Sequence, residues 1–168
     1  MVELTQKELK KILHYDPDTG IFTRLTDVVH NAAAGNIAGH LSIIGYIQIT
    51  LSYKRYYAHR LAWLYMTGCW PKHQIDHINH ARDDNRFCNL REVNHADNQK
   101  NRTMYKVNKS GVVGVCWNKR EKKWRARIVL SKKEKFLGCF VDKFEAICAR
   151  KSAEFKYGFH ENHGASYV

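Results

Sequence analysis

Apolar and polar positions alternate with two periods along this chain, and the changes of period outline its elements. Leu9, Ile12 and Leu13 share a helical face behind Thr5-Gln6-Lys7-Glu8, which has the form of a capping box. Leu4 and Leu9 stand at the staple positions around it, so a helix is predicted over 6–14. Asp16-Pro17-Asp18-Thr19-Gly20 is a turn, and 21–24 a strand. Residues 27–42, rich in Ala, Gly and Asn, read as a loop. The period then falls to two: 45–51 alternates as a half-buried strand does, and a turn at 52–54 leads into a second strand over 55–58. A helix follows over 59–66, ended by Gly68 with Pro71 beyond.

The next stretch reads strand, loop, strand, helix. Residues 73–78 are a strand, 79–88 a polar loop and 90–93 a short strand, and Asn94 caps a helix running to about Arg102. Three further strands are predicted over 112–117, 124–130 and 135–140, joined by charged turns. Asp142-Lys143-Phe144-Glu145 caps a final helix through Tyr157, with Gly158 as terminator.

Composition adds that the chain is globular: 168 residues, 44% hydrophobic, 12% aromatic, only two prolines. That is enough for one compact domain or two small ones. The five cysteines, at 69, 88, 116, 139 and 148, form no C-x-x-C pair, which argues against a disulfide framework or a cysteine zinc site. Free thiols suit a reducing cytoplasm. The first residues lack a signal-peptide apolar core, and no segment approaches the ~20 apolar residues of a membrane span.

Charge changes the picture more. The formal net charge is +12 and the pI about 9.6. Residues 100–135 hold thirteen Lys or Arg against two acids, Glu121 and Glu134, a net +11, so the rest of the chain is nearly neutral. Such segregation favours a polyanionic partner, nucleic acid first, over a generally solvated basic surface.

The candidate chemistry precedes this basic run. Asp76-His77 sets a carboxylate beside an imidazole, with carboxamides at Asn89 and Asn98, 12 and 21 residues after the histidine. Phosphodiester hydrolysis needs a nucleophilic water, neutralised phosphate charge and a stabilised leaving oxygen. Asp76 and Asn98 offer the oxygen ligands that Mg²⁺ prefers. His77, with an unperturbed pKa of about 6.5, can take a proton near neutrality. Neighbours on a straight strand point to opposite faces, so the pair requires a twist or a strand end. A buried amide such as Asn89 can orient the His77 ring.

These residues resemble the HNH endonuclease family with its ββα-metal site, in its phage and intron-encoded subgroup. The resemblance rests on Asp76-His77-Ile78-Asn79, Asp84-Asn85-Arg86, Asn89-Leu90-Arg91 and Asn98-Gln99-Lys100-Asn101. It reaches upstream to Asp16-Pro17-Asp18-Thr19-Gly20, Gly45-Tyr46 and His59-Arg60-Leu61-Ala62-Trp63. It implies Asp76 and Asn98 as ligands of one divalent ion, Mg²⁺ or Mn²⁺, His77 as general base and Asn89 as the residue orienting it. His80 stands where relatives usually have Gly.

Ser110-Gly111-Val112-Val113-Gly114-Val115-Cys116-Trp117, Lys123-Trp124-Arg125-Ala126-Arg127-Ile128 and Leu137-Gly138-Cys139-Phe140 resemble the plant APETALA2/ERF-type DNA-binding domain, over roughly 108–163. That resemblance implies a three-stranded sheet backed by a helix, with the sheet in the major groove. The alternation agrees: Trp124, Ala126 and Ile128 share one face, Arg125 and Arg127 the other. Sheet-borne arginines reach guanine edges or phosphates, and Asn118, Lys119, Arg120 and Lys123 at the adjacent turn can add phosphate contacts. Trp117 suits packing better than a base contact. Plant domains carry arginines in the first strand where this chain has Val113 and Cys116, so base specificity does not transfer.

The expected fold class is α+β: a ββα-metal nuclease core followed by a three-stranded antiparallel sheet packed on one helix. The expected organisation is a supporting region over 1–58, the nuclease over 59–102, a linker over 103–110 and the DNA-binding domain over 111–163. The expected activity is metal-dependent cleavage of duplex DNA, in a homing endonuclease of a bacterial or phage-infected cytoplasm. A monomer with one site nicks; a dimer cuts both strands. The competing readings are a non-catalytic DNA-binding regulator with a degenerate site, and an RNA-directed protein.

Overall fold

The computed structural model describes residues 3–27, 33–101, 103–104 and 107–165. Residues 28–32 of the predicted loop, 105–106 of the predicted linker and the predicted helix end at Arg102 lie outside them. The chain divides into two compact units, Met1–Asn94 and His95–Val168.

In the first unit, α1 (Gln6–Ile12) opens with the capping box: Glu8 N donates to Thr5 Oγ1 at 3.3 Å, and Thr5 N to the Glu8 carboxylate at 2.9 Å. The helix ends before His14. Residues Leu13–Tyr15 form β1 instead, paired antiparallel with β2 (Phe22–Arg24), Tyr15 opposite Phe22. Leu13 and Tyr15 are buried and His14 is exposed, so the period has already fallen to two. The Asp16–Gly20 turn closes this hairpin, with Asp16 Oδ1 accepting from Asp18 N and Gly20 at φ +74°. The pairing it creates outweighs another helical turn.

Within the segment read as a loop, β3 (His40–Leu41) adds to β4 (Ile47–Leu51), which pairs with β5 (Lys54–Tyr57). Ser52 and Tyr53, both at positive φ, make the tight hairpin turn. Helix α2 (Ala58–Thr67) follows directly and stops at Gly68 in the left-handed conformation. Strands β6 (Gln74–His77) and β7 (Leu90–Val93) pair antiparallel, Asp76 opposite Arg91 and His77 opposite Leu90. One core joins these parts: Leu9, Leu13, Tyr15, Phe22, Ile49, Leu61, Leu64 and Leu90 are all buried in it.

In the second unit, α3 (His95–Asn98) runs into a 3₁₀ turn, Gln99–Asn101. Residues 107–110, the end of the segment predicted as a linker, turn around Asn108. Its Oδ1 accepts from Ser110 N at 2.8 Å and Gly111 N at 3.1 Å, while Nδ2 donates to Val112 O at 3.0 Å. Strands β8 (Val115–Asn118), β9 (Lys123–Leu130) and β10 (Lys133–Phe140) form an antiparallel sheet with β9 central. Helix α4 (Lys143–Lys156), capped by Asp142, covers one face. Val115, Ala126 and Ala146 are the buried centre of that contact. Val113 lies before β8 and is buried, so it is not a strand residue facing outward. No helix among the described residues is long and apolar enough to cross a membrane.

Candidate active site and nucleic-acid interface

His77 is the last residue of β6, so the adjacent Asp76 and His77 sit at a strand end, as their chemistry requires. The His77 ring is buried. It packs edge-on against the His59 ring, centroids 5.1 Å apart, and against Tyr46 at 5.8 Å. His59 in turn stacks on Tyr57 at 5.5 Å, and Arg82 lies over the Tyr46 ring. Burial pushes the His77 imidazole below its ordinary pKa; Asn85 and the charges of Asp76, Asp84 and Asp83 pull it partly back. His59 is pushed down to about 3, first by burial and then by the charges of His77 and Arg60. Both rings are therefore neutral near pH 7.

Asn85 brings an amide to His77, with Oδ1 at 3.4 Å from Nε2. Asn85 is buried and tied down: Nδ2 donates to Asp83 O at 3.0 Å, and its carbonyl accepts from Tyr15 Oη at 2.7 Å. Burial and nearby carboxylates raise the Tyr15 phenol far above its usual value, which keeps it a donor. Asn89 has a different task. Its Oδ1 accepts from Asn79 N at 3.0 Å and its Nδ2 donates to Asp84 O at 2.8 Å. Both ends of that carboxamide brace the 79–84 loop between β6 and β7. The loop is closed further by Asn79 Nδ2 on Asp84 Oδ2 at 2.7 Å and by an Arg86–Asp84 ion pair. The Arg86 hydrogen bonds push the Asp84 carboxyl down to about 2. His80 stands at φ +68°, the left-handed region that suits Gly, so the Gly usual there in relatives has a backbone reason.

Asp76 faces Arg91 across the hairpin. Arg91 Nε and Nη2 reach Asp76 Oδ2 at 3.0 and 2.8 Å. Asn98 ends α3 in the second unit. Among the described residues no three His, Cys, Asp or Glu gather into a metal cluster. Carboxylate and amide oxygens are donors that suit a hard divalent ion.

Sequence reasoning missed Tyr15, Tyr46, His59, Asn85 and Arg91 as parts of this site. Tyr46, His59, Asn85 and Arg91 stood inside the quoted motifs but had been given no role; Tyr15 is 70 residues from its partner, and only the fold joins them.

On the second unit, Arg125 and Arg127 project from β9 opposite the α4 face, both about half-exposed. Arg125 lies beside Cys116 and Cys139 on the flanking strands, and its guanidinium covers Phe136 at 5.6 Å. Lys119, Arg120 and Lys123 are exposed at the β8–β9 turn. Asn118 Oδ1 accepts from Arg120 N at 3.1 Å and shapes that turn. Trp117 is half-exposed and leans edge-on against Trp124, 5.3 Å between centroids. Buried Arg150 of α4 donates Nη1 to Arg127 O at 2.8 Å and Nε to Glu154 at 2.9 Å, fixing β9 from behind.

Residues 56–100 match a family model described as HNH endonuclease. The matched stretch runs from the end of β5 through the 3₁₀ turn after α3 and contains Asp76, His77, Asn89 and Asn98. It supports a nuclease of the HNH type, and with it a DNA substrate. Neither the curated proteins nor the solved structures yield a match.

Proposed function

We propose that this chain is a metal-dependent DNA endonuclease in which His77 is the general base and the β8–β10 sheet grips duplex DNA. The observation that carries the reading is the constraint on His77. Its ring is buried at a strand end, kept neutral by burial, and contacted at Nε2 by an amide oxygen. With Asn85 Oδ1 accepting, Nε2 holds the proton and Nδ1 keeps the basic lone pair. Asp76 is the carboxylate ligand for one divalent ion, Mg²⁺ or Mn²⁺; Asn98 as an amide ligand rests on the resemblance. Such an ion, when bound, neutralises phosphate charge and stabilises the leaving oxygen. His77 takes the proton from the attacking water. Arg91 orients Asp76 through two hydrogen bonds to Oδ2. Asn89 keeps the 79–84 loop closed, so Asn85 stays against the ring. The resemblance implies 5′-phosphate and 3′-hydroxyl products and the setting of a homing nuclease in a bacterial or phage-infected cytoplasm.

On the second unit, Arg125 and Arg127 contact base edges or phosphates, and Lys119, Arg120 and Lys123 add phosphate contacts. This is the arrangement of an APETALA2/ERF-type domain, and the sheet backed by α4 supports it. One site per monomer makes nicking the expected product.

A plasmid incubated with Mg²⁺, with and without EDTA, tests the enzyme. Nicked product that EDTA abolishes supports it. One observation favours a binding-only regulator: Asp76 Oδ2 already carries both Arg91 N–H groups. Retained gel-shift binding without any nicking would select that reading.

A further inference from the structure

Glu134 is one of two acids among the thirteen cations of 100–135, and it stands on the proposed DNA face near the start of the edge strand β10. It lies on β10 opposite Val129, and Phe136, two residues on, lies opposite Arg127, so Glu134 projects from the arginine side of the sheet. Its carboxylate is divided between the two arginines. Arg125 Nη2 reaches Oε1 at 2.9 Å, and Arg127 Nη1 reaches Oε2. The other acid, Glu121, instead accepts from Cys139 Sγ at 3.1 Å. Arg125 Nε is sheltered and has no hydrogen-bond partner among the described residues, so this guanidinium keeps a donor in hand.

A carboxylate that offers one oxygen to each of two guanidinium groups has the donor-acceptor geometry of a phosphodiester. We propose that Glu134 occupies the position of a DNA phosphate on this face, so that duplex DNA docks by displacing it from Arg125 and Arg127. The pairs are partly exposed, and exposed ion pairs exchange readily, so the displacement is feasible. The consequence is selectivity. A backbone phosphate approaching the arginines meets a fixed negative charge. A neutral acceptor such as a guanine edge does not suffer that full-charge repulsion. Glu134 therefore weakens sequence-independent binding more than base readout.

The inference rests on the sheet being the DNA face. The test compares Glu134→Gln, which keeps shape and removes charge, with wild type for binding to a random-sequence duplex over a salt series. The expected result is binding tighter by about three- to tenfold and a log-log salt slope steeper by roughly one, as the freed arginines take phosphate. Glu121→Gln removes the same charge from the adjacent β8–β9 turn without freeing an arginine and should change binding less. In an Arg125→Ala/Arg127→Ala background, Glu134→Gln should have no effect beyond that of Glu121→Gln. Equal effects of the two Gln variants would mean net charge alone is at work, and overturn the proposal. Unchanged or weaker binding by Glu134→Gln, or its failure to fold, would mark Glu134 as a strut and also overturn it. If wild type binds duplex DNA and Arg125→Ala weakens it, but Glu134→Gln does nothing, this inference fails and the DNA-face reading stands. If wild type shows no salt-dependent duplex binding, both fail.

Discussion

Arg91 sets two N–H groups on a single oxygen of Asp76, Nε at 3.0 Å and Nη2 at 2.8 Å from Oδ2. The two residues are directly opposed on β7 and β6, so the contact is built into the hairpin register. A cation bound at Asp76 must share that carboxylate with a guanidinium. Removing Arg91 takes the guanidinium from a largely buried carboxylate and lowers stability by about 1–2 kcal/mol. We expect Arg91→Leu to lower the thermal midpoint in EDTA and to recover more than wild type does when Mg²⁺ is added. Equal Mg²⁺ responses would show that Arg91 and the ion do not share Asp76.

His77→Ala should abolish nicking while leaving duplex binding nearly unchanged, because the proposed role of the ring is proton transfer rather than contact with DNA. A plasmid assay beside a gel shift reads both; parallel losses would make His77 a structural residue.

The two carboxamides should separate by kind of damage. Asn89→Ala leaves Asn79 N and Asp84 O without their partner and should cost about 1–3 kcal/mol of stability. Asn85→Ala removes the contact on the ring and should lower the single-turnover rate by roughly 10²-fold, in keeping with a general acid–base contribution. Denaturant titration and single-turnover kinetics of both variants check this; the opposite pattern would exchange their roles.

Acid should weaken the first unit in a defined window. His59 is neutral when folded down to about pH 3, while an unfolded imidazole protonates near 6.5. Between these values the unfolded state binds the extra proton, so stability rises with pH there and falls as acid is added, by up to about 1.4 kcal/mol per pH unit for one site. Asp84, held down to about 2, adds a loss in the same direction below its unfolded value of 3.8. Thermal unfolding of wild type and His59→Phe at about pH 7.5 and 5 reads the first effect: the variant should lose less on acidification. The acid limb of kcat/KM should lie below about 6.5, since His77 is depressed too.

Gly20→Ala should be damaging far beyond its size. A Cβ there would lie 2.5 Å from Arg86 N and from the Asn85 carbonyl carbon, both backbone, at φ +74°. The expected cost is roughly 1–3 kcal/mol with impaired nicking, because the displaced segment carries Asn85. A variant with wild-type rate and stability would show that the turn does not position the site.

The elements legible in the sequence were those with local signals. Thr5 and Glu8 announce α1, Gly68 ends α2, and the alternation of Trp124, Ala126 and Ile128 gives β9 its buried face. The Asp-His-Asn pattern falls within the stretch that matches the HNH endonuclease family model. What stayed hidden depends on distant pairing. Leu13–Tyr15 continues a helical pattern locally and becomes a strand only because Phe22–Arg24 pairs with it. Two asparagines four positions apart are chemically alike, and only the loop's path decides that Asn85 meets the imidazole while Asn89 braces the backbone. Residues 1–58, without a definite role in the sequence reading, supply Tyr15 and Tyr46 to the site.

The hydroxyl of Tyr15 on the Asn85 carbonyl has a consequence for how such a nuclease can be inherited or borrowed. The stretch that bears the family likeness begins at residue 56, yet the turn that shapes its loop is anchored by an N-terminal hairpin. A graft of 56–100 into another scaffold would carry Asp76, His77, Asn89 and Asn98 and leave the anchor behind. We therefore expect the smallest transferable unit to run from the first unit through Asn98, and recombination that swaps the C-terminal sheet to keep the proposed cutting activity only when the break falls after that residue.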